Sequence, residues 1–413
     1  MTQQGLRVAV LFGGPSVEHD VSIISAQQLM AAMTPRHEPV PVYLARDGRW
    51  WAGDALREIG AFGADQPAGA EPCELRLGRD GAPFAAPGGS RFKGDRDIHV
   101  DAAICAIHGT GGEDGGLLGA LELSGVPYVG GGVGAAAVAM DKRLGKLVFA
   151  EAGAEVCPHT LIHREDFTRD RADSLRRAAE QGFPCYVKPA SLGSSIGVAR
   201  VREPDELEEA LELAFELDLT ALVEPALDDF VEVNVAILGS RRTELRASEV
   251  EQPVRDSDAA LSFEDKYLRG GGKGGGGKGS AGDSKTASRG GDKSGGGSEG
   301  MASADRLIPA PISPAAADAL VDAAKRAHRG LGFFGVVRYD FFLKDPEGGP
   351  PRVVLNEANT VPGSFAFYLF EPAGLSFPEL ADALLEIAFS EAAERRATTR
   401  TFDSILISQH QRS

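Results

Sequence analysis

Apolar positions along the chain fall first into short continuous runs closed by glycine, and then into helical spacing. Arg7–Phe12 (RVAVLF) is such a run, ended by Gly13-Gly14-Pro15-Ser16, and Ser22–Met33 then repeats apolar residues at Ile24, Leu29 and Met33. A buried strand, a glycine turn and a helix in that order open an α/β domain. The order recurs in strand Ala102–Ile107, glycine-rich Gly109–Gly116, helical Leu117–Leu123 and strand Val126–Val129. Between the two copies, Asp47–Arg96 is rich in Gly, Pro and Ala and gives no clear order. Residues 1–134 are predicted to form one open sheet of parallel strands.

Further along, Gly134–Ala152 reads as one helix, and strands follow at Cys185–Pro189, Val198–Val201 and Ala221–Glu224, with helical Asp205–Glu216 behind Pro204. Residues 135–224 are predicted to be a small α+β domain. A C-terminal domain, 225–413, has strands at Glu232–Leu238, Val336–Leu343 and Arg352–Asn359. Ser313-Pro314 is a good helix start and Gly330 a good stop, and a last helix opens at Ser376 and runs to about Glu394. One segment breaks the pattern: residues 270–300 hold 15 glycines in 31 positions and no aliphatic side chain larger than Ala. Such a stretch cannot bury enough apolar surface to offset its ordering entropy, so a flexible insert is expected. It is mildly basic, but it has no aromatic residue to stack on a base, which disfavours an RNA-binding arm.

Composition narrows the classes. With 413 residues and 43.4 kDa the chain suits two or three domains, and 43% apolar with 25% charged residues permits a sizeable core. The formal net charge of −17 argues against nucleic acid or an anionic membrane as partner. No apolar run approaches the ~18 residues that span a bilayer, and the first residues read as a strand rather than a signal peptide. Cys73, Cys105, Cys157 and Cys185 are widely spaced with no C-x-x-C pair, so buried free thiols and a cytoplasmic location are expected.

Four constellations could carry chemistry. Gly13-Gly14-Pro15-Ser16-Val17-Glu18 follows the first strand, where α/β sheets bind ligands, although a turn with a solvated Glu18 has the same look. His108-Gly109-Thr110-Gly111-Gly112-Glu113 also follows a strand; its glycines suit close backbone approach, and His108 could equally be a structural hydrogen-bonding residue. Lys188 stands at a strand end before the loop Ala190–Gly197, whose N–H groups, hydroxyls and nearby ammonium could cradle phosphate. That loop is not a P-loop, and a hairpin turn remains the alternative. Last, Arg338 and Asp340 share one face of VVRYDFFL, as Glu357 and Asn359 share one face of VVLNEANT. If these strands are neighbours, three oxygen ligands and a guanidinium converge. Such a set suits a hard cation such as Mg²⁺.

Taken together and in order, GGPSVEHDVS, HGTGGEDG, VPYVGGGV, MDKRLGK, YVKPASLGSSIGV, LVEPAL, EVNVAILG, DKYL, VVRYDFFL and NEANTVPG resemble the D-alanine–D-alanine ligase family of the ATP-grasp superfamily. The resemblance runs from Arg7 to about Phe389. It implies an α/β, three-domain ATP-grasp architecture with a Rossmann-like N-terminal domain and ATP held between the other two. It implies a cytoplasmic enzyme that joins two D-alanines for peptidoglycan precursors, with ATP and Mg²⁺ (or Mn²⁺, two ions) as cofactors and a possible homodimer. By resemblance, Glu18, Ser194, Tyr267 and Arg338 are catalytic, and His108, Glu113, Lys266, Gly363 and Tyr368 bind the amino acids. Lys142, Lys188, Glu224, Leu227 and Glu232 match nucleotide-binding positions, and Asp340, Glu357 and Asn359 match the metal ligands. Two departures stand out: the glycine-rich insert follows Lys266-Tyr267-Leu268 directly, and Tyr368 replaces a small hydroxyl residue near the second carboxylate. A ligase with another acceptor and a non-catalytic ATP-binding sensor are the other readings.

Overall fold

The computed structural model describes residues 5–63, 66–77, 82–87, 94–254, 306–345 and 349–399, together with Ile407 and His410. The 270–300 insert and the expected site residues Lys266 and Tyr267 lie outside the described residues.

The N-terminal sheet is built from β1 (Arg7–Gly13), β2 (Glu38–Leu44), β3 (Trp50–Ala52), β4 (Glu71–Leu75), β5 (Phe84–Ala86), β6 (Arg96–Ile98), β7 (Ala102–Cys105) and β8 (Tyr128–Val129), in the order β6-β5-β4-β3-β2-β1-β7-β8. Its helices are α1 (His19–Met33) and α2 (Gly116–Ser124). Parallel pairing joins β2, β1, β7 and β8. Val8–Phe12 and Ala102–Cys105 are fully buried, as central parallel strands with both faces covered must be. The all-parallel expectation needs correction on the other side: β3 to β6 run antiparallel and come from the stretch that had no legible order. Those strands are only three to five residues long, too short for a period-2 pattern to emerge from a Gly/Pro-rich background.

The expected helix Gly134–Ala152 is two helices, α3 (Val133–Met140) and α4 (Lys142–Glu151). Asp141 separates them, its carboxylate accepting from the N–H groups of Arg143 (2.9 Å) and Leu144 (3.0 Å) as an N-cap. Neither helix belongs to the small domain. Ala135, Ala139 and Phe149 pack into the C-terminal core, and β9 (Glu155–Val156) pairs with the C-terminal sheet, so the small body begins after residue 156 rather than at 135.

That small body contains β10 (Thr160–His163), α5 (Arg164–Arg169), α6 (Arg171–Ala179), β11 (Cys185–Pro189), β12 (Ala199–Val201), α7 (Leu207–Leu217) and β13 (Thr220–Pro225). Its sheet order is β10-β13-β11-β12, all antiparallel, over a core that includes Ile162, Phe167, Val187, Leu211 and Val223. The C-terminal body is made of β14 (Val231–Gly239), β15 (Arg246–Ala247), a two-stranded pair β16 (Gln252–Pro253) and β17 (Arg306–Leu307), α8 (Pro314–Leu331), β18 (Gly335–Lys344), β19 (Arg352–Asn359), α9 (Phe367–Phe370) and α10 (Phe377–Ala397). Its five-stranded sheet runs β15-β14-β18-β19-β9. The Ser313 hydroxyl caps α8 by accepting from the Ala316 N–H, and Gly332 ends it in a left-handed conformation, two residues past the expected stop at Gly330. Leu380, Leu384 and Ala388 of α10 pack with the N-terminal sheet residues in one core cluster, which ties the two ends of the chain together. Among the described residues no helix is long and apolar enough to cross a membrane.

Candidate active site

A cleft opens between the small sheet and the C-terminal sheet. Its lining includes Lys188, Glu224 and Leu227 from one side, and Glu232, Asp340, Asn356 and Glu357 from the other, with Lys142 at the start of α4. The most buried feature is a lysine–carboxylate–lysine arrangement. The Glu224 carboxylate, 2% exposed, accepts from Lys188 Nζ at 2.6 Å on one oxygen and faces Lys146 Nζ at 2.7 Å on the other. Lys188 also reaches Asn356 Oδ1 (3.4 Å), and Lys146 reaches the Asn356 carbonyl (3.3 Å). Burial alone would push the Glu224 carboxyl up, but the charges of Lys188 and Lys146 outweigh it and bring it down to about 2. For Lys188, burial disfavours the charge; Glu224, and then Glu357, overcome that and leave its pKa raised.

Strands β18 and β19 are neighbours, with Asp340 opposite Glu357 and Arg338 opposite Asn359. Arg338 grips Asp340 in a bidentate pair (2.7 and 2.8 Å), and Asn359 Nδ2 donates to Asp340 at 3.0 Å. Glu357 faces Lys142 Nζ at 3.2 Å, and that ammonium also donates to the Leu192 carbonyl. A bulge lies between the Asp340 and Phe341 pairings, so that Asn356 has no opposite residue. One extra residue cancels the strand's alternation, and Asn356 and Glu357 therefore both face the cleft. Two carboxylates and an amide oxygen are the donor chemistry of a hard divalent cation, so these residues fit one. Among the described residues no three His, Cys, Asp or Glu side chains gather as a site by themselves.

Where the three bodies meet, the loop after β11 reaches the loop after β1. Ser194 Oγ donates to the buried Glu18 carboxylate. Ser194 and Ser195 sit at φ +53° and +58°, a left-handed turn that aims the first hydroxyl at Glu18. Glycine lets both loops approach that acid: a Cβ on Gly109 (φ +72°) would lie 2.8 Å from Glu18 Oε2, and one on Gly193 3.2 Å from it. The Glu18 N–H donates to Ser16 Oγ (2.9 Å), whose hydroxyl donates to the His108 carbonyl (2.8 Å). Glu113 bridges bodies, accepting from the Gly109 and Val361 N–H groups at 2.8 Å each and from the Thr360 hydroxyl at 3.3 Å. Burial and the nearby Glu18 charge raise its pKa to about 7. His108 pairs with Ser25 Oγ (3.0 Å), which also accepts from the Ser364 N–H (3.1 Å). Burial, assisted by Arg338, drops its pKa to about 4, so the ring is neutral at pH 7.

Gly363 opens a buried turn in which Ser364, Phe365 and Ala366 all have φ near +54°. Tyr368 follows, buried beneath the Arg306 guanidinium, which stands 4.1 Å from the ring centroid and bonds Glu251 at 2.9 Å. Burial, and then Glu251, raise the phenol's pKa, while Arg338 and Arg306 pull it down.

The structure thus brings Lys142, Lys188, Glu224, Leu227, Glu232, Asp340 and Glu357 into one cleft, with Asn359 bonded to Asp340. It gathers Glu18, Ser194, His108 and Glu113 beside the loop whose Leu192 and Ser195 line that cleft. Sequence reasoning missed Lys146 and Asn356. The first could have been found as the i+4 neighbour of Lys142, on the same face of α4; the second is displaced by the bulge, which no alternation pattern reveals.

Comparison with known proteins shows the family. Family models described as D-ala D-ala ligase N-terminus and C-terminus match residues 7–131 and residues 148–274 with 298–386. A D-alanine–D-alanine ligase of Chlorobaculum tepidum is 35% identical over 95% of this chain and 98% of its own. The solved D-alanine–D-alanine ligase of Coxiella burnetii superposes with a TM-score of 0.74 at 25% identity, covering 95% of this chain and 97% of its own. A D-Ala:D-Ser ligase of Enterococcus faecalis superposes at 0.71 with 27% identity, over 93% of this chain and 100% of its own. With both family models matching most of the chain and a relative 35% identical over 95% of it, the chain belongs to the D-alanine–D-alanine ligase family.

Proposed function

We propose that this protein uses ATP to join two D-alanines, giving D-alanyl-D-alanine, ADP and phosphate for peptidoglycan precursors. The observation that carries the reading is the adjacency of two sites: a cleft between the ATP-grasp bodies, lined by Lys142 and Lys188, takes in Leu192 and Ser195 of the loop whose Ser194 holds the buried acid Glu18 of another body. Two amino acids do not condense unaided, so the first carboxylate takes the γ-phosphate of ATP to form an acyl phosphate. The second amine then attacks, and phosphate leaves. Lys142 and Lys188 hold the transferring phosphates, Glu224 and Leu227 the adenine, and Glu232 the ribose. Glu18, kept in place by Ser194, accepts from the first ammonium, with His108 and Glu113 shaping that pocket. Arg338, held flat by Asp340, donates to the oxyanion of the tetrahedral intermediate, a contact worth ~3 kcal/mol. A divalent cation such as Mg²⁺ would be held by Asp340, Glu357 and Asn359, where it offsets phosphate charge. By the family resemblance Lys266 and Tyr267 would complete the catalytic and substrate-binding set, and Gly363 and Tyr368 belong to the same reading as residues of the second subsite. A cytoplasmic homodimer is the corresponding assembly.

One observation favours a variant of this reading. A phenol beneath a guanidinium occupies the position expected to hold a small hydroxyl near the second carboxylate, which points to an acceptor other than D-alanine as a competing second substrate. The test is release of ADP and phosphate by the purified protein with ATP, Mg²⁺ and single amino acids, and the product read by mass spectrometry. D-alanine is expected to stimulate release and yield the dipeptide, and EDTA to abolish it. Release indifferent to every amino acid would overturn the ligase reading, and a mixed dipeptide formed in preference would favour the variant.

A further inference from the structure

Lys146 is the most deeply buried ammonium of the site, 1% exposed, and it is not among the residues lining the cleft. It cannot touch a ligand there, yet it is placed against one that would. Glu224 has one oxygen on Lys188 and the other on Lys146, and Asn356 tethers both lysines, one through its amide oxygen and one through its carbonyl. Burying a third charge beside a pair that is already neutral is costly unless it does something.

The charge count shows what it does. Lys188 and Glu224 alone would form a closed neutral pair, with the lysine's charge spent on its own neighbour. The lining also brings Glu232, Asp340 and Glu357 against one further cation, Lys142, which already faces Glu357, so the wall is a poor one for a polyphosphate. With Lys146 behind it, the buried group of three carries one net positive charge, and of the two members that line the cleft Lys188 is the more exposed. We propose that Lys146 is a positioning residue for nucleotide phosphate: by neutralising Glu224 from behind, it leaves the charge of Lys188 available to the phosphates.

This rests on the reading of the cleft as an ATP site, and the test separates the two. ATP and adenosine are titrated by calorimetry into the unmodified full chain, Lys146→Met, Lys146→Arg and the double variant Lys146→Met/Glu224→Gln. Lys146→Met makes the group neutral, and its ATP Kd is expected to rise about 30-fold with adenosine changed less than about threefold, because only phosphate senses the lost charge. Lys146→Arg keeps the charge and is expected to stay within about fivefold of the unmodified protein for ATP. The double variant restores one net positive charge through Lys188 alone, so the ratio of ATP to adenosine affinity is expected to recover at least tenfold over the single variant. Should Lys146→Met fail to fold, Lys146→Gln makes the same charge change while retaining a donor for Glu224. ATP and adenosine weakened equally by the single variant, or no recovery in the double, would overturn the proposal and make Lys146 a packing residue. Absence of ATP binding by the unmodified chain would overturn the nucleotide reading itself, and this inference with it.

Discussion

The two ends of the site are built on opposite electrostatic plans. In and behind the cleft, full charges are buried against full charges: Lys146 and Lys188 on Glu224, Lys142 on Glu357, Arg338 on Asp340. Around Glu18 the polar groups are instead met by hydroxyls and backbone N–H groups: Ser194 on Glu18, Gly109 and Val361 on Glu113, Ser25 on His108. The difference follows from what each end must hold. A polyphosphate calls for fixed charge, whereas an amino acid carries one charge of each sign, and a site for it works by placing neutral donors and a single acid at the right points. It also follows from chain geometry: the charged pairs stand on strands and one helix, and the hydrogen-bonded set stands on loops from all three bodies and on Ser25 of α1.

The largest effect should come from the charged end. Glu357→Gln keeps the shape but removes a charge opposite Asp340, and turnover is expected to fall about 1,000-fold with the melting temperature nearly unchanged. Steady-state ADP release at saturating ATP and a melting curve check this. Near-normal turnover at low Mg²⁺ would show that the strand pair does not hold the metal.

A second measurement separates the two plans by pH. His108 is lowered from 6.5 to about 4, so its contribution to stability is complete above pH 6.5 and is lost as pH falls to 4. Glu113 is raised from 4.5 to about 7, so its contribution is complete below pH 4.5 and is lost as pH rises through 7. Each is worth about 3 kcal/mol at most, and between pH 7 and 4 they oppose one another. The unmodified protein should therefore show little net slope from this pocket. His108→Gln should gain stability on acidification and Glu113→Gln should lose it, read from denaturant melts at pH 7 and 4.5. Glu224, lowered to about 2, is stabilising above pH 4.5 and fails only as pH falls toward 2, so Glu224→Gln should leave the pH 7-to-4.5 difference unchanged. Equal slopes in all three variants would erase the distinction between the two ends.

The smallest effect belongs to the hydroxyl contact that joins them. Ser194→Ala removes the donor to Glu18 and should raise the KM for D-alanine about tenfold while leaving the ATP Kd within about twofold, as suits one hydrogen bond to a charged group. A change in ATP affinity as large as that in KM would mean that Ser194 serves the cleft instead.

The chain itself determined much of this. The apolar runs at Arg7–Phe12, Cys185–Pro189 and Val336–Leu343 form strands because continuous or alternating apolar residues of that length must be buried in a sheet. Same-face spacing by itself puts Arg338 with Asp340 and Glu357 with Asn359, because strand periodicity is a local property. What the sequence could not carry was long-range. That β18 lies beside β19, that a bulge turns Asn356 into the cleft, that α3 and α4 pack on the C-terminal sheet rather than the small one, and that Ser194 meets Glu18 across 176 positions of chain are all decided by packing. Lys146 shows the limit best. Its spacing from Lys142 gives the shared helix face, but only the tertiary structure makes it the buried partner of Glu224, because a charge is worth burying only where the fold supplies its counter-charge.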